Sequence, residues 1–212
     1  MTTYDVRQDS TEGVAAAVSA VQRGALAVFA TDTVYGVAAD AFSPAAVARL
    51  LAAKGRGRDM PVPVLVGSEI SISGLAEHVT DDARILVEAF WPGPLTLIVR
   101  SAPSLAWDLG ETRGTVAVRM PAHPVALSVL AETGPLAVSS ANRSGMPAAT
   151  TAADALRQLG EDVAVYLDSG SVESGVPSTI LDLTDARPRL RRLGALTIEQ
   201  LRTVLPHLEG SA

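Results

Sequence analysis

The chain has 212 residues and no cysteine, and 48% of its residues are hydrophobic although only 4% are aromatic. This length suffices for one large domain with a core of Ala, Val and Leu, and the lack of cysteine excludes disulfides and thiolate metal sites. The net charge of −6 argues against a general nucleic-acid binder, whose affinity depends on neutralising phosphates. No signal peptide and no apolar run of roughly 18 residues is visible, so we expect a cytoplasmic protein without a membrane segment.

Helix signals recur along the chain as polar N-cap residues, prolines in first turns and apolar residues at helical spacing. Helices are predicted to begin after Ser10, at Pro44, after Thr80, and near Pro124, Thr151 and Thr197. Short segments rich in β-branched residues are predicted as strands: 26–30, 62–66, 95–100, 115–119, 136–140, 163–167, 179–183 and 189–193. Because helices and strands alternate, the sequence predicts an α/β fold with a large mixed sheet.

Two polar or glycine-rich segments, 101–114 and 168–178, are predicted as loops. No internal repeat and no domain boundary is visible, so residues 1–212 are expected to form a single domain. The segment 168–178 adjoins candidate site residues, and we expect it to close over the site.

The only lysine of the chain, Lys54, ends a predicted helix, and Arg56 and Arg58 follow it between glycines. Such a cluster suits an oligophosphate, because lysine offers a compact charge and arginine a planar fork. The alternative is a solvated helix end, where cations interact favourably with the helix dipole.

Polar residues also follow several predicted strands. Asp32 lies between Thr31 and Thr33 just beyond strand 26–30, where open α/β sheets bind ligands; alternatively, Asp32 bonds local backbone N–H groups in a turn. Arg119 ends strand 115–119 on the same face as Thr115, and it needs an anionic partner if it is buried. The alternative for Arg119 is an exposed position on an edge strand.

Hydroxyl groups are concentrated in the segment 138–145, which is suited to a phosphate or a sugar or is an ordinary polar turn. Ser178 lies at the mouth of strand 179–183, and Arg192 lies in a basic strand that either contacts a ligand or protects a sheet edge. The three histidines are isolated, which argues against a structural metal, and no activated nucleophile is visible. These patterns favour binding and alignment of anionic substrates over covalent catalysis.

Eight motifs occur in the order seen in the YrdC/TsaC family of L-threonylcarbamoyladenylate synthases: "TDTVYG", "KGRGRDMP", "FWPGPLTLIV", "TVAVRMP", "HPVAL", "SSANRSG", "STILDL" and "RRLGAL". Together they span about residues 13 to 205, so the chain resembles this family over nearly its whole length. The resemblance implies the short, single-domain form, with a twisted mixed sheet flanked by helices and a deep, positively charged hollow.

The resemblance also implies a reaction. L-threonine, bicarbonate or CO2 and ATP would give threonylcarbamoyl-AMP and pyrophosphate, and separate transferase proteins would then modify an adenosine of tRNA. Mg2+ would accompany the ATP phosphates, without a tightly bound organic cofactor or a metal held by the protein. Direct binding of tRNA is expected to be weak or absent, and no membrane is involved.

Site residues are implied at matching positions. Lys54 and Arg56 would be catalytic at the phosphates. ATP contacts would come from Lys54, Arg56, Arg58, Thr115, Asn142, Thr150 and Arg192, and L-threonine contacts from Thr33, Arg119, Ser140 and Ser178. Three residues depart from the family pattern: Met60 replaces a lysine for which Arg58 is expected to substitute, Pro177 replaces an acidic residue, and Leu193 replaces a proline.

Two alternative functions are compatible with parts of this pattern. An RNA-binding module with the same hollow would fit the clustered cations, but the net charge and the shortage of aromatic residues argue against it. A carbamoyl-transfer enzyme of hydrogenase maturation would need zinc-finger cysteines, which this chain lacks.

Overall fold

Ten strands form one sheet in the computed structural model, which describes residues 1–208. The strands are β1 Thr2–Asp5, β2 Ala27–Ala30, β3 Tyr35–Asp40, β4 Val64–Leu65, β5 Leu95–Arg100, β6 Thr115–Arg119, β7 Leu136–Ser140, β8 Val165–Asp168, β9 Thr179–Asp182 and β10 Arg189–Arg192. Their order across the sheet is β1-β8-β2-β3-β7-β4-β6-β5-β9-β10. Parallel and antiparallel pairs alternate irregularly, which confirms the predicted mixed sheet.

The helices are α1 Thr11–Gln22, α2 Pro44–Lys54, α3 Ile72–Leu75, α4 Asp81–Phe90, α5 Pro124–Thr133, α6 Ala152–Leu159 and α7 Ile198–Arg202. The side chains of Ser43, Thr80 and Thr151 each accept a backbone N–H from the first turn of their helix. Thr197 and Gln200 form a reciprocal capping box at α7. All six predicted helices are therefore confirmed, whereas the short α3 was not predicted.

Two strands lie outside the predicted set. The edge strand β1 and the strand β3 have no counterpart among the predicted strands. Strand β3 is buried between β2 and β7 although only glycine, one valine, two alanines and Asp40 follow Tyr35. Gly36 permits this close packing, because a Cβ there would lie 2.7 Å from Val138 Cγ1. Two-sided burial thus overrides a weak strand propensity.

Apolar side chains pack on both faces of the sheet. The larger core cluster joins one face to α2, α4 and α6, and the smaller one joins the other face to α1 and α5. The smaller cluster contains no residue of β5, β6, β9 or β10. On those strands Leu97, Val118 and Leu181 enter the larger core, so the alternate residues face the side that the smaller cluster does not cover.

The loops at 101–114 and 168–178 contain no regular helix or strand beyond the last residue of β8, as expected. None of the helices within residues 1–208 is long and apolar enough to cross a membrane.

Candidate active-site cavity

A cavity of about 310 Å³ lies on this uncovered part of the sheet. Its wall comes from strand ends and strand faces that are far apart in sequence. The polar residues that line it are Thr31, Thr33, Arg56, Thr96, Arg119, Ser139, Ser140, Ser178 and Arg192. The fold therefore brings together six of the predicted site residues: Thr33, Arg56, Arg119, Ser140, Ser178 and Arg192.

Arg119 is the most buried cation of the cavity, with 6% of its surface exposed. Its guanidinium group donates to Gly93 O (2.9 Å), Thr33 Oγ1 (2.8 Å) and Asp32 Oδ1 (2.6 Å). Burial lowers the pKa of Arg119, and the charge of Asp32 opposes that effect. Strand β6 lies between β4 and β5, so the alternative of an exposed edge-strand arginine is wrong.

Asp32 holds Arg119 rather than its own turn. Its Oδ1 also accepts the backbone N–H of Ala122 (2.8 Å), and its Oδ2 is buried without a partner among residues 1–208. The turn is held instead by Thr31, whose hydroxyl donates to Val34 O (2.7 Å) and accepts the N–H of Thr33 (3.2 Å). The predicted alternative, in which Asp32 bonds local backbone, is therefore wrong.

Arg56 and Arg192 line the same cavity without a carboxylate partner in the described part of the chain. Arg56 donates to Met60 O (2.8 Å), Pro61 O (3.1 Å) and Ser139 Oγ (3.1 Å). Arg192 donates to Ser178 O (2.8 Å from Nη2). Burial lowers the pKa of both groups, and the charge of Arg56 further lowers the pKa of Arg192. The charge of Asp59 partly opposes the effect of burial on the pKa of Arg56, but within residues 1–208 no carboxylate lies within ion-pair distance of either guanidinium group.

Ser178 is fixed at the mouth of β9 by its neighbours. Its hydroxyl lies 2.8 Å from Thr96 Oγ1 and accepts a hydrogen bond from Arg192 (3.2 Å). Gly194 allows the chain after β10 to pass against this segment, because a Cβ there would lie 2.2 Å from Pro177 O. Strand β10 is an edge strand, as its alternating charge predicted, and Arg192 at its end also reaches the cavity.

Lys54 does not line the cavity but lies buried behind it, with 3% of its surface exposed. Its ammonium group donates to the backbone carbonyls of Ser140 and Asn142 (2.7 Å to Asn142 O). Burial, and then the charge of Arg56, lower the pKa of Lys54 to about 8. The alternative of a solvated helix end is wrong for Lys54, which ties the end of α2 to the turn after β7.

Four predicted ATP contacts do not line the cavity. Arg58 is exposed and pairs with Asp108 (2.7 Å). Thr115 donates to Thr112 O (2.8 Å). Thr150 contacts Asp154, and Asn142 donates to Arg143 O and Met146 O, with its Oδ1 buried and unpartnered among residues 1–208. Their roles, like those of all the predicted site residues, remain predictions.

The comparison with known proteins assigns the fold to a family. The family model Sua5/YciO/YrdC, described as "Telomere recombination", matches residues 19–194. The chain belongs to this family. A Mycobacterium tuberculosis protein named "Putative threonylcarbamoyl-AMP synthase" is 56% identical over 198 residues, which cover 93% of this chain and 91% of that protein.

More distant members of the Sua5/YciO/YrdC family agree in sequence and in structure. A threonylcarbamoyl-AMP synthase of Pyrococcus abyssi is 37% identical over 186 residues, 87% of this chain, which spans 55% of that longer protein. The crystal structure of P. abyssi Sua5 complexed with L-threonine matches with a TM-score of 0.93 at 34% identity, covering 98% of this chain and 62% of the other. Escherichia coli YciO matches at 22% identity with a TM-score of 0.81 over 94% and 96% of the two chains, which supports the fold.

The predicted site residues do not include Thr31, Thr96 and Ser139 of the cavity wall or Asp32, which bonds to Arg119. Thr96 was read only as part of an apolar strand, and Asp32 was not carried into the set of binding residues. For Thr96 the available signal was its alternation with Leu95 and Leu97, which puts a hydroxyl on the face opposite the core. For Asp32 the position just beyond a strand was a signal of a ligand site, but no local pattern identifies its partner Arg119, which lies 87 residues away.

Proposed function

We propose that this protein is a threonylcarbamoyl-AMP synthase that condenses L-threonine, bicarbonate or CO2 and ATP to threonylcarbamoyl-AMP and pyrophosphate. The names of relatives at 56% and 37% identity support an enzyme of the nucleotidyltransferase type that serves tRNA modification. The crystal structure of P. abyssi Sua5 complexed with L-threonine supports the same amino acid as the substrate here.

One observation of the site carries the proposal: three guanidinium groups line a single cavity in a chain of net charge −6. Within residues 1–208, Arg119 is the only one of the three that is paired with a carboxylate. ATP, bicarbonate and the carboxylate of threonine are all anionic at neutral pH. Fixed positive charge in a partly desolvated cavity stabilises such groups and the charge that develops between them.

The chemistry needs alignment and charge neutralisation rather than a nucleophile from the protein. The amine of threonine and bicarbonate form a carbamate with loss of water. A carbamate oxygen then attacks the α-phosphorus of ATP, the new P–O bond forms, and the bond to the leaving pyrophosphate breaks. Both reactants are anions, so holding them in line against their repulsion supplies the main part of the rate enhancement.

The substrate-binding roles are proposed for predicted residues that line the cavity. Thr33, Arg119, Ser140 and Ser178 are proposed to bind L-threonine, and Arg56 and Arg192 to bind ATP. The catalytic contact with ATP that is predicted for Lys54 has no support from the cavity lining, and Lys54 is proposed to fix the turn that presents Ser140. The ATP contacts predicted for Arg58, Thr115, Asn142 and Thr150 stay predictions without support from the cavity lining.

Mg2+ is proposed to arrive with ATP and to neutralise phosphate charge. No carboxylate lines the cavity among residues 1–208, and Asp32 is bound to the cavity residue Arg119. No group of three or more His, Asp or Glu side chains suited to a metal occurs in the same residues. The ion would therefore be held by phosphate oxygens and water, with at most hydroxyl ligands from the chain.

Downstream transfer of the threonylcarbamoyl group to tRNA by separate proteins, a cytoplasmic location and a single-domain organisation stay parts of this proposal. The alternative of an RNA-binding module gains no support, because Arg56, Arg119 and Arg192 line a cavity, and several exposed arginines, such as Arg7, Arg58 and Arg84, pair with aspartates.

The test is pyrophosphate release from ATP and Mg2+ by the purified protein, with L-threonine and bicarbonate each added or omitted. We expect release only when both are present, together with a product of the mass of threonylcarbamoyl-AMP. D-threonine serves as the matched control, because it has the same charge and the wrong shape. A folded protein that releases no pyrophosphate under any condition would refute the proposal.

A further inference from the structure

Thr96 is a buried hydroxyl of the cavity wall to which no role has been assigned. It lies on β5 with 3% of its surface exposed, and its Oγ1 lies 2.8 Å from Ser178 Oγ. Within residues 1–208 this is the only hydrogen bond that its hydroxyl makes. Both side chains line the cavity.

The hydroxyl groups of Thr96 and Ser178 have two O–H donors but form only one hydrogen bond with each other. Each carries one O–H, and one of these protons bonds the two oxygens to each other. Ser178 Oγ already accepts a hydrogen bond from Arg192 (3.2 Å), so it needs no further donor. The pair therefore offers one spare O–H donor to the cavity, whichever of the two oxygens carries it. A group that only accepts hydrogen bonds, such as a carboxylate, is its natural partner.

The strand registers place this donor between two positive charges. Strands β5 and β6 align Leu97 with Val118, so the preceding Thr96 lies beside Arg119 on the same face. On the other side, Ile180 of β9 pairs with both Thr96 and Arg192. A row across four adjacent strands thus reads Arg119, Thr96, Ile180 and Arg192. Both ends of the row carry guanidinium N–H donors, and the charge of Arg192, which no carboxylate of residues 1–208 balances, attracts an oxyanion and repels an ammonium group.

We propose that Thr96, together with Ser178, donates a hydrogen bond to the carboxylate of the amino-acid substrate, between Arg119, whose charge Asp32 balances, and Arg192, which has no carboxylate partner among residues 1–208. Thr96 would then be a substrate-binding residue and a determinant of amino-acid affinity. This inference rests on the proposed function, since it takes L-threonine as the ligand.

The test compares the dissociation constants of L-threonine for the wild-type protein, Thr96→Ser and Thr96→Ala, measured by NMR titration. Serine and alanine both lack the methyl group of threonine, so this pair differs only in the hydroxyl. We expect Thr96→Ser to bind within about threefold of wild type, and Thr96→Ala to bind about 10- to 100-fold more weakly than Thr96→Ser. Thermal unfolding verifies that both variants are folded.

Two analogues identify the group that Thr96 contacts. L-threoninol lacks the carboxylate, and L-2-aminobutyrate lacks the side-chain hydroxyl. The dissociation constants of Thr96→Ala and Thr96→Ser should be equal for L-threoninol and should differ about as much for L-2-aminobutyrate as for L-threonine. Where L-threoninol binds too weakly to titrate, the L-2-aminobutyrate ratio decides alone: retention supports the carboxylate contact, and loss overturns it.

The measurements distinguish an error in the role of Thr96 from an error in the proposed synthase activity. If the wild-type protein binds L-threonine but Thr96→Ala and Thr96→Ser bind it equally, the role of Thr96 is wrong and the synthase proposal stands. If the wild-type protein does not bind L-threonine, with or without ATP, both proposals fail before any variant is measured.

Discussion

Several surface arginines are neutralised by aspartates, whereas two arginines of the cavity bond only to uncharged groups of residues 1–208. Many surface arginines pair with an aspartate two to four residues away: Arg7 with Asp5, Arg84 with Asp81, Arg157 with Asp154 and Arg189 with Asp185. In the cavity, Arg56 and Arg192 donate to carbonyl and hydroxyl oxygens instead. The charges of these four surface arginines cancel locally, whereas those of Arg56 and Arg192 have no carboxylate within ion-pair distance among residues 1–208.

This difference explains how an acidic protein can hold a site for anions. Burial lowers the pKa of Arg56, Arg119 and Arg192, yet a guanidinium group stays protonated at any physiological pH. The desolvation of these charges therefore costs free energy that an anionic ligand would recover. Arg119 is the intermediate case, because Asp32 neutralises it and fixes its direction.

The largest expected effect comes from Arg119→Met. The variant leaves the carboxylate of Asp32 buried and unpaired, so we expect a loss of about 3–5 kcal/mol in the free energy of unfolding, measured by urea denaturation. The matched surface change, Arg84→Met, breaks an exposed pair and should cost less than about 1 kcal/mol. Adding Asp32→Asn to Arg119→Met should restore part of the loss. Equal costs for the two single variants would contradict the contrast between cavity and surface.

A second pair of variants compares a cavity arginine with a surface arginine that lies only two residues away in the sequence. Arg56→Gln removes an unneutralised cavity charge, and Arg58→Gln removes a charge that is exposed and paired with Asp108. We expect Arg56→Gln to lower kcat/KM for ATP on the order of 100-fold, and Arg58→Gln to change it by less than about threefold. Steady-state pyrophosphate release measures both. A large loss in Arg58→Gln would show that Arg58 reaches the nucleotide, as its place in the motif predicted.

Most elements of the fold could be predicted from the sequence, because helix caps and β-branched runs are local signals. Ser43 and Thr80 each cap the helix that they predicted, and the strands at 95–100, 115–119 and 136–140 have the predicted bounds. The central strand β3 was missed, because burial on both faces rather than local propensity makes it a strand.

The candidate site was predictable as a set of residue types but not as a set of contacts. The sequence indicated that a buried Arg119 needs an anion, but the side chains that hold it, Thr33 and Asp32, lie 86 and 87 residues away. Lys54 is conspicuous in the sequence as the only lysine, yet its carbonyl partners depend on the packing of the end of α2 against the end of β7. Partners of this kind follow from strand order, which no local pattern encodes.

Lys54 gives a pH-dependent prediction of intermediate size. Because its pKa is lowered to about 8 in the folded protein from an ordinary value of 10.5, the unfolded chain binds more protons between these values. Stability from this group therefore rises with pH above about 8. Lys54→Met removes the titration, so the difference in unfolding free energy between wild type and variant should grow in favour of wild type by about 2 kcal/mol from pH 7.5 to 9.5. A difference that is constant or shrinks with pH would mean that the buried ammonium is not destabilised.

The smallest expected effect concerns the loop 168–178, which is anchored at its start and exposed in the middle. The hydroxyl of Tyr35 donates to Gly170 O (2.6 Å), and Val172 N–H donates to Thr150 O (2.8 Å), whereas residues 173–177 are exposed and Pro177 lines the cavity. If the loop closes over bound substrates, glutamyl endopeptidase should cleave after Glu173 several-fold more slowly with ATP and L-threonine present. Cleavage after Glu77, in an exposed bend outside the cavity lining, is the internal control and should not change. Equal protection at both sites would indicate global stabilisation, and no protection at Glu173 would mean that the cavity stays open, so that its arginines act on substrates in contact with solvent.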